Sequence, residues 1–337
     1  MKKTTLLLMA LTLFVMSYGQ DQSNDFYDDA EPYYLFGPRT IEISGEIENP
    51  GIIDLADFPA HSVIVKEAML TKNDNQFIGA YRYDGVSLYD ILNLFILDKK
   101  NKNKFNPIID LYVEIENMEG EKAILSWGEI YYPVHHDEIL IATQVTRIVP
   151  SKTEELWPLP EKTKLVVASD LITERNISNP VKITVRSANK AFEVEKGMSP
   201  MFASSIIVED QEKKVMKIDA LPKDFCQLTY ETTFYGRGRG IHSTTPFKGV
   251  MVKDILRKEF PLKPENIAKG YFIISAEDGY RAVFTFSEIM NRNDQAELLL
   301  IDEGDTDGGK FRLFPAFDFF SDRAIKSVNG IYYRMME

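Results

Sequence analysis

The sequence predicts an α+β protein made of two tandem copies of one mixed-sheet unit. Residues 110–130 (DLYVEIENMEGEKAILSWGEI) align without a gap with residues 269–289 (KGYFIISAEDGYRAVFTFSEI), and residues 84–92 match residues 248–256. The repeat distance of about 160 residues is too long for a solenoid unit, so it indicates a duplicated domain. Strand patterns outnumber helical ones, and the helical ones are short, so we expect mixed sheets rather than a doubly wound nucleotide fold.

The first 19 residues have the pattern of a secretory signal peptide. A basic start at Lys2 and Lys3 precedes a short apolar run, Leu6–Met16, and small residues near Gly19, after which we expect cleavage. No later stretch approaches the ~20 apolar residues that a membrane span needs. We therefore expect an exported protein, periplasmic or extracellular, whose mature chain begins with a flexible acidic segment over residues 20–36.

The first repeat covers residues 37–187 and alternates strand patterns with short helical ones. Its helix carries apolar residues at helical spacing, with Ser87 as the expected N-cap. Its hairpin turns at Met118–Gly120. In order, we predict a strand at 41–47, a turn at 48–51, a helical turn at 55–58, a strand at 62–66, a helix at 88–97, hairpin strands at 111–115 and 121–125, a helical turn at 127–131, and strands at 138–142, 165–168 and 181–185.

The second repeat covers residues 188–337 and follows the same order. We predict strands at 204–208, 215–218 and 225–233, a helix at 250–260, hairpin strands at 271–275 and 280–285, and strands at 298–301, 311–313 and 331–334. The ends of the repeats match as well, because Arg175 and Ile183 correspond to Arg323 and Ile331 at one common offset. The match therefore spans most of each unit, and we place the insertions in loops.

Charge and cysteine content exclude several classes of function. The formal charge of −12 becomes −14 once Lys2 and Lys3 are removed with the leader, which disfavours nucleic acid and anionic membrane surfaces as partners. A single cysteine, Cys226, excludes an internal disulfide framework and a cysteine-rich zinc or iron–sulfur site.

The order of motifs resembles the molybdopterin-binding domain of the sulfite oxidase family. The first repeat has the strand and turn Gly45-Glu-Ile-Glu-Asn-Pro50 and the helix Gly85-Val-Ser-Leu-Tyr-Asp-Ile-Leu92, and the second has the hairpin Ser275-Ala-Glu-Asp-Gly-Tyr280. The resemblance implies two tandem copies of a sulfite-oxidase-type molybdopterin-binding fold. For function, it implies a molybdopterin-dependent oxidoreductase.

The chain departs from that family at the metal ligand. The family holds molybdenum through one cysteine thiolate before the Gly-Val helix, and the first repeat has no cysteine in the equivalent segment, residues 62–69. In the second repeat the position falls near Tyr230, whereas Cys226 lies four residues earlier, roughly 13 Å along a strand. We interpret Cys226 as a small buried hydrophobe, and we predict no metal ligands.

The stretch Tyr235–Thr245 looks most like a binding site. Glycines at three alternate positions let the backbone approach a ligand, and the arginines offer forked donors to phosphate or carboxylate. The candidate cofactor- or anion-binding residues are Tyr230, Arg237, Arg239, His242, Ser243 and Thr244. The alternative is a mobile surface loop with solvated arginines. No Rossmann or P-loop fingerprint is present.

Other candidates have ordinary structural explanations. His135 and His136 are adjacent and would point to opposite sides of an extended chain, so we expect a solvated loop. Residues 302–309 predict an acidic hairpin tip, with a weak calcium site as the alternative. Glu129 and Glu288 match and suit helix caps, and we predict no catalytic residues.

The function expected from these patterns is an exported, non-enzymatic ligand-binding or protein-interaction protein on a degenerate molybdopterin-binding fold. One alternative is a molybdopterin-dependent oxidoreductase of the sulfite oxidase type. The other is an anion- or glycan-binding protein that uses the Arg237–Thr245 loop. We expect no cofactor, with molybdopterin as the alternative, and a partner that is a small anionic ligand or a protein.

Overall fold

The computed structural model describes residues 32–72, 74–150 and 152–336. The predicted signal peptide, and residues 20–31 of the segment predicted to be flexible, lie outside the described residues. Within that segment, Tyr33 and Tyr34 form a short strand.

Strands make up most of the regular structure. In the first half they are β1 (Tyr33–Tyr34), β2 (Thr40–Gly45), β3 (Gly51–Asp54), β4 (His61–Leu70), β5 (Asn75–Ser87), β6 (Leu111–Asn117), β7 (Lys122–Ser126), β8 (Ile139–Arg147), β9 (Lys164–Val167) and β10 (Pro180–Ser187). In the second half they are β11 (Ile206–Asp210), β12 (Lys213–Ile218), β13 (Gln227–Tyr230), β14 (Phe234–Gly236), β15 (Gly240–Ser243), β16 (Phe247–Met251), β17 (Gly270–Ala276), β18 (Arg281–Thr285), β19 (Leu298–Asp302), β20 (Phe311–Pro315) and β21 (Val328–Met335).

Helices are short throughout the described residues. They are α1 (Leu88–Leu92), α2 (Trp127–Tyr131), α3 (Val252–Leu256), α4 (Pro264–Lys269) and α5 (Phe286–Met290), with 3-10 turns at Leu55–Asp57, Ile108–Asp110 and Ser321–Arg323. None of these helices is long and apolar enough to cross a membrane.

The predicted α+β class, with two sulfite-oxidase-type molybdopterin-binding folds, is wrong. Strands and bridges account for 44% of the structure and helices for 12%, in a ring that resembles a four-bladed β-propeller. The helices predicted at 88–97 and 250–260 shrink to one turn each, Leu88–Leu92 and Val252–Leu256. The apolar spacing that suggested them covers little more than that turn, and so short a helix depends on packing rather than on its own propensity.

Two five-stranded sheets share one topology. Sheet I runs β3-β2-β10-β6-β7, and sheet II runs β12-β11-β21-β17-β18. In each sheet the first long strand pairs in parallel with the last strand, β2 with β10 and β11 with β21, while the other pairs are antiparallel. The hairpins β6–β7 and β17–β18 therefore occupy the same edge of equivalent sheets, and both predicted hairpins are confirmed.

Two antiparallel sheets correspond in the same way. Sheet III contains the series β4-β5-β8-β9, with β1 also paired to β8, and sheet IV contains the series β13-β16-β19-β20. The strands differ in length, because β4 and β5 have 10 and 13 residues whereas β13 and β16 have 4 and 5. In the first half, β4 and β5 continue as one long hairpin. In the second half, the chain after β13 forms the separate hairpin β14–β15 instead.

Matched glutamates cap the helices that follow the two hairpins, which confirms their predicted structural role. The Ser126 hydroxyl accepts from the Glu129 backbone N–H at 2.9 Å, and the Glu129 carboxylate accepts from the Ser126 backbone N–H at 2.6 Å. Thr285 and Glu288 form the same capping box at the start of α5. Two backbone donors at each helix start are satisfied in this way.

Matched arginines join the two halves across their junction. Arg175 is buried and pairs with Asp170 and Glu129 of its own half, and it also donates to the Thr285 hydroxyl at 3.3 Å. Arg323 repeats the arrangement in the opposite direction. It pairs with Asp318 and Glu288 and donates to the Ser126 hydroxyl at 3.1 Å. The capping boxes of the two halves thus meet through one buried ionic network.

Candidate functional site

The Tyr235–Thr245 stretch forms a small hairpin together with Phe234. Its strands β14 and β15 pair Phe234 with Ser243 and Tyr235 with Ile241. Gly240 adopts φ +78°, a left-handed conformation that a glycine takes without strain. The hairpin stands beside sheet IV, and the space between them is the candidate site.

A cavity of about 430 Å³, which we call the hairpin cavity, lies between this hairpin and sheet IV. Its volume falls within the range of small-molecule sites. It is lined by Phe234, His242, Ser243, Thr245, Pro246, Phe247, Lys248, Ile301, Glu303, Arg312 and Lys326. The lining combines two aromatic rings, an aliphatic wall and several cations.

Arg312, on β20, is the central cation of the cavity. Its guanidinium lies over the rings of Phe234 and Phe247, 5.0 and 4.8 Å from their centroids. Its Nη1 donates to Glu303 Oε1 at 3.1 Å. Its Nε is buried and has no hydrogen-bond partner among the described residues. A buried donor without an acceptor is destabilising by about 1–3 kcal/mol, so the chain leaves this guanidinium incompletely hydrogen-bonded.

Two lysines add positive charge to the same cavity. Lys248 and Lys326 are exposed, and no ion pair joins either of them to another residue in the described ranges. With Arg312 they set three cations against the single carboxylate of Glu303. In a chain of net charge −12, this local excess of positive charge would attract an anion.

His242 and Ser243 are the predicted residues that line the cavity. The His242 ring lies against the hairpin backbone, because a Cβ at Gly236 would stand only 2.4 Å from His242 Nε2. The Ser243 hydroxyl accepts from the Thr245 backbone N–H at 2.9 Å, which leaves its own O–H free to donate. Thr244 is exposed on the same strand end but does not line the cavity.

The other three predicted residues lie elsewhere. Arg237 turns away to pair with Asp322, Nη2 to Oδ1 2.9 Å, and lies over the Tyr132 ring of the first half. Arg239 is exposed at the tip of the hairpin. Tyr230 donates to the Gln295 carbonyl at 2.6 Å and accepts from a backbone N–H, so its hydroxyl serves the backbone.

The sequence did not predict the cations that line the cavity in place of Arg237 and Arg239. Lys248, Arg312 and Lys326 come from β16, from β20 and from the segment before β21, and sheet pairing brings them to the hairpin. One signal was available: Arg312 interrupts the apolar run from Phe311 to Phe314. A charged residue within a buried strand is rare unless it is paired or functional.

In the first half, the residue that corresponds to Arg312 is paired within the chain instead of facing a cavity. Lys164 corresponds to Arg312 at the offset of 148 residues that also joins Arg175 to Arg323. Lys164 Nζ pairs with Glu67 at 2.6 Å, and the same carboxylate oxygen accepts from the Tyr83 hydroxyl at 3.0 Å. Glu67 lies on the part of β4 that has no counterpart in the short β13. Only the second half therefore leaves its cation facing a cavity, as far as the described residues show.

The residues do not fit a metal held by a thiolate. Cys226 is exposed, so the prediction that it is buried is wrong, and it does not line the hairpin cavity. The described ranges contain no group of three or more His, Cys, Asp or Glu that could hold a metal ion. His135 and His136 do not converge: His136 stacks on Tyr89, and His135 lines another pocket.

Comparison with known proteins gives a distant likeness to a solved structure. No family model matches the chain, and no curated protein matches it. Among solved structures, the crystal structure of the sulfane dehydrogenase SoxCD from Paracoccus pantotrophus is similar over 88% of this chain and 77% of that chain, at 10% identity and a TM-score of 0.31. At this identity and TM-score the similarity fixes neither fold nor function.

Proposed function

We propose that the protein binds a small organic anion in the hairpin cavity, without catalysing a reaction on it. The observation that carries the proposal is Arg312, whose guanidinium lies over two phenyl rings and has a buried, unpartnered Nε. A carboxylate, phosphate or sulfate oxygen would form a charge-assisted hydrogen bond with this guanidinium.

The lining also constrains the rest of the ligand. Ile301, Pro246 and the edges of the phenyl rings offer apolar contact, while Ser243 offers a hydroxyl donor. Lys248 and Lys326 stand where a second acidic group could interact with them. The ligand class is therefore a small acid with an apolar body. The cations would orient its acidic groups, and the phenyl rings would bury its apolar body.

Export remains part of this proposal. The basic start and apolar run of residues 1–19 support secretion, and an exported binding protein would meet its ligand outside the cytoplasm. The expectation of a protein-interaction role stays a prediction.

Calorimetric titration of the chain without its leader tests the proposal. The probes are inorganic phosphate, sulfate, succinate and benzoate, and we expect at least one organic anion to bind. The double variant Lys248→Ala, Lys326→Ala should weaken that binding at least tenfold, because each lost ion contact contributes about 1 kcal/mol.

Lys258→Ala is the matched control, since Lys258 is exposed on the same half but does not line the cavity. Unchanged affinity in the double variant, or no binding of any probe, would overturn the proposal.

A further inference from the structure

A second and larger cavity lies where sheet I meets sheet II. It measures about 730 Å³, and we call it the tyrosine cleft. It shares no lining residue with the hairpin cavity. Its walls come from both halves of the chain, so the fold creates this cleft only when the halves are assembled.

Matched residues form a paired array inside the cleft. Tyr112 lies directly opposite Arg186 in the β6–β10 pairing, and Tyr271 lies directly opposite Arg334 in the β17–β21 pairing. Directly opposed residues in antiparallel strands point to the same face, with Cβ atoms about 5 Å apart. The rings of Tyr112 and Tyr271 stack at 5.1 Å with an angle of 27°. The array therefore runs arginine, tyrosine, tyrosine, arginine across the junction.

Carboxylates of the chain hold each arginine in place without using all of its donors. Arg186 Nε pairs with Glu114 Oε2 at 2.8 Å, and this contact does not involve the Nη groups of Arg186. Arg334 Nη1 donates to the Tyr333 carbonyl at 2.7 Å, and its Nη2 is 3.6 Å from Glu209 Oε2. A guanidinium carries five N–H donors, so both arginines keep donors for a ligand.

Most of the remaining lining is polar or charged. Four cations face three carboxylates, and two of these carboxylates, Glu46 and Glu114, already bond to the chain itself. Ser187, Asn189 and Gln211 add neutral hydrogen-bonding side chains to the same walls. A ligand that fits this cleft carries negative charge at two points and many neutral hydroxyl or carbonyl groups between them.

The strand arrangement argues against a peptide. The strands that carry the array, β6, β10, β17 and β21, each have a partner on both sides, so the cleft offers no free strand edge for an added peptide strand. Ala188, Met335 and Met336 are the aliphatic members of the lining, and its other side chains are charged, polar or tyrosine.

We propose that the tyrosine cleft binds an acidic sugar chain. One carboxylate or sulfate group would bond to Arg186 and a second to Arg334, and the hydroxyl groups of the sugar would bond to the neutral side chains between them. The stacked Tyr112 and Tyr271 form the floor that sets the spacing of the two arginines. This inference does not depend on the hairpin cavity.

Titration calorimetry with four probes tests the inference on the chain without its leader. The probes are digalacturonate, a disulfated chondroitin disaccharide, maltose and a triglutamate peptide. We expect one of the two acidic disaccharides to bind and maltose not to bind, and the comparison of carboxylate with sulfate identifies the acidic group. Binding of maltose with equal affinity, or of triglutamate alone, would overturn the proposal.

Arg186→Gln provides the variant, because Arg186 is 47% exposed and its replacement should leave the fold intact. We expect disaccharide binding to weaken about tenfold, with a further loss when Arg334→Gln is added. Lys182→Ala, on the same strand β10 but outside the cleft, is the control.

The pair Lys248→Ala, Lys326→Ala should leave disaccharide binding unchanged. If only that pair weakens binding, the sugar occupies the hairpin cavity and the cleft proposal fails.

Discussion

Buried carboxylates at the junction of the halves have raised pKa values. Burial raises the pKa of Asp318 to about 6, and the pairing with Arg323 opposes this rise. Burial likewise raises the pKa of Glu129 to about 8, opposed by Arg175. Both groups therefore hold protons more tightly in the folded chain than in the unfolded one, and this sets the direction of the pH dependence.

We predict that the free energy of unfolding falls as pH rises from about 4 to about 6. Asp318 returns to an ordinary pKa of 3.8 when the chain unfolds, so its stabilising contribution is complete below that pH and is lost as pH passes 6. The two-unit shift corresponds to about 3 kcal/mol at most. Glu129 extends the decline toward pH 8.

Urea unfolding at pH steps between 4 and 7 measures this slope. The variant Asp318→Asn lacks the titrating group and should show a flatter slope between pH 4 and 6, whatever its absolute stability. Glu259→Gln, at an exposed carboxylate, should keep the slope of the parent protein. An identical slope in the Asp318 variant would contradict the assignment.

Helix α2 shows how one small residue makes room for the other half of the chain. A Cβ at Gly128 would lie 2.2 Å from Arg323 Cζ, so only glycine leaves space for that guanidinium. The matched residue in the second half is Ser287, whose hydroxyl instead donates to Asp170 at 2.8 Å. The two capping helices therefore make different contacts with the same network.

We predict that Gly128→Ala destabilises the protein by roughly 2–4 kcal/mol, because it displaces Arg323 from buried carboxylates. In an ordinary helix the same change stabilises by about 1 kcal/mol, so the expected sign is reversed. Chemical denaturation measures the difference. Gly238→Ala, where the structure leaves open space, is the control and should be nearly neutral. A Gly128→Ala variant as stable as the parent would show that Arg323 can move without loss.

Local patterns predicted strands and hairpins well and predicted helix lengths poorly. Alternation located β2, and the repeated segment located both hairpins and their capping glutamates, because these features depend on neighbouring residues. Strand β5 was missed, since Gly79 and Gly85 interrupt its pattern.

The candidate site was predicted only in part. His242 and Ser243 lie on the hairpin itself, whereas Arg312 reaches it through long-range strand pairing.

At the scale of the whole molecule, the two halves share their cores. Phe105 and Ile109 of the first half belong to the main apolar cluster of the second half. Asp110 is buried between Lys99 of its own half and Arg281 of the other, at 2.6 and 3.0 Å. This ionic bridge has no matched copy, because Lys269 stands where a second aspartate would be.

We predict a single cooperative unfolding transition for the whole chain. Unfolding one half would expose shared apolar surface and break the buried ion pair between Asp110 and Arg281, so neither half should melt alone. Differential scanning calorimetry should give equal calorimetric and van't Hoff enthalpies. Two resolved transitions would mean that the sequence duplication also divides the molecule into independent folding units.

The exposed Cys226 has a practical consequence. It is the single cysteine of the sequence, and it immediately precedes β13, whose last residue, Tyr230, pairs with Phe247 in the wall of the hairpin cavity. A maleimide dye would therefore attach at one defined position without any substitution. Four residues of strand place that dye roughly 13 Å from the cavity wall, close enough for its emission to report ligand entry in real time.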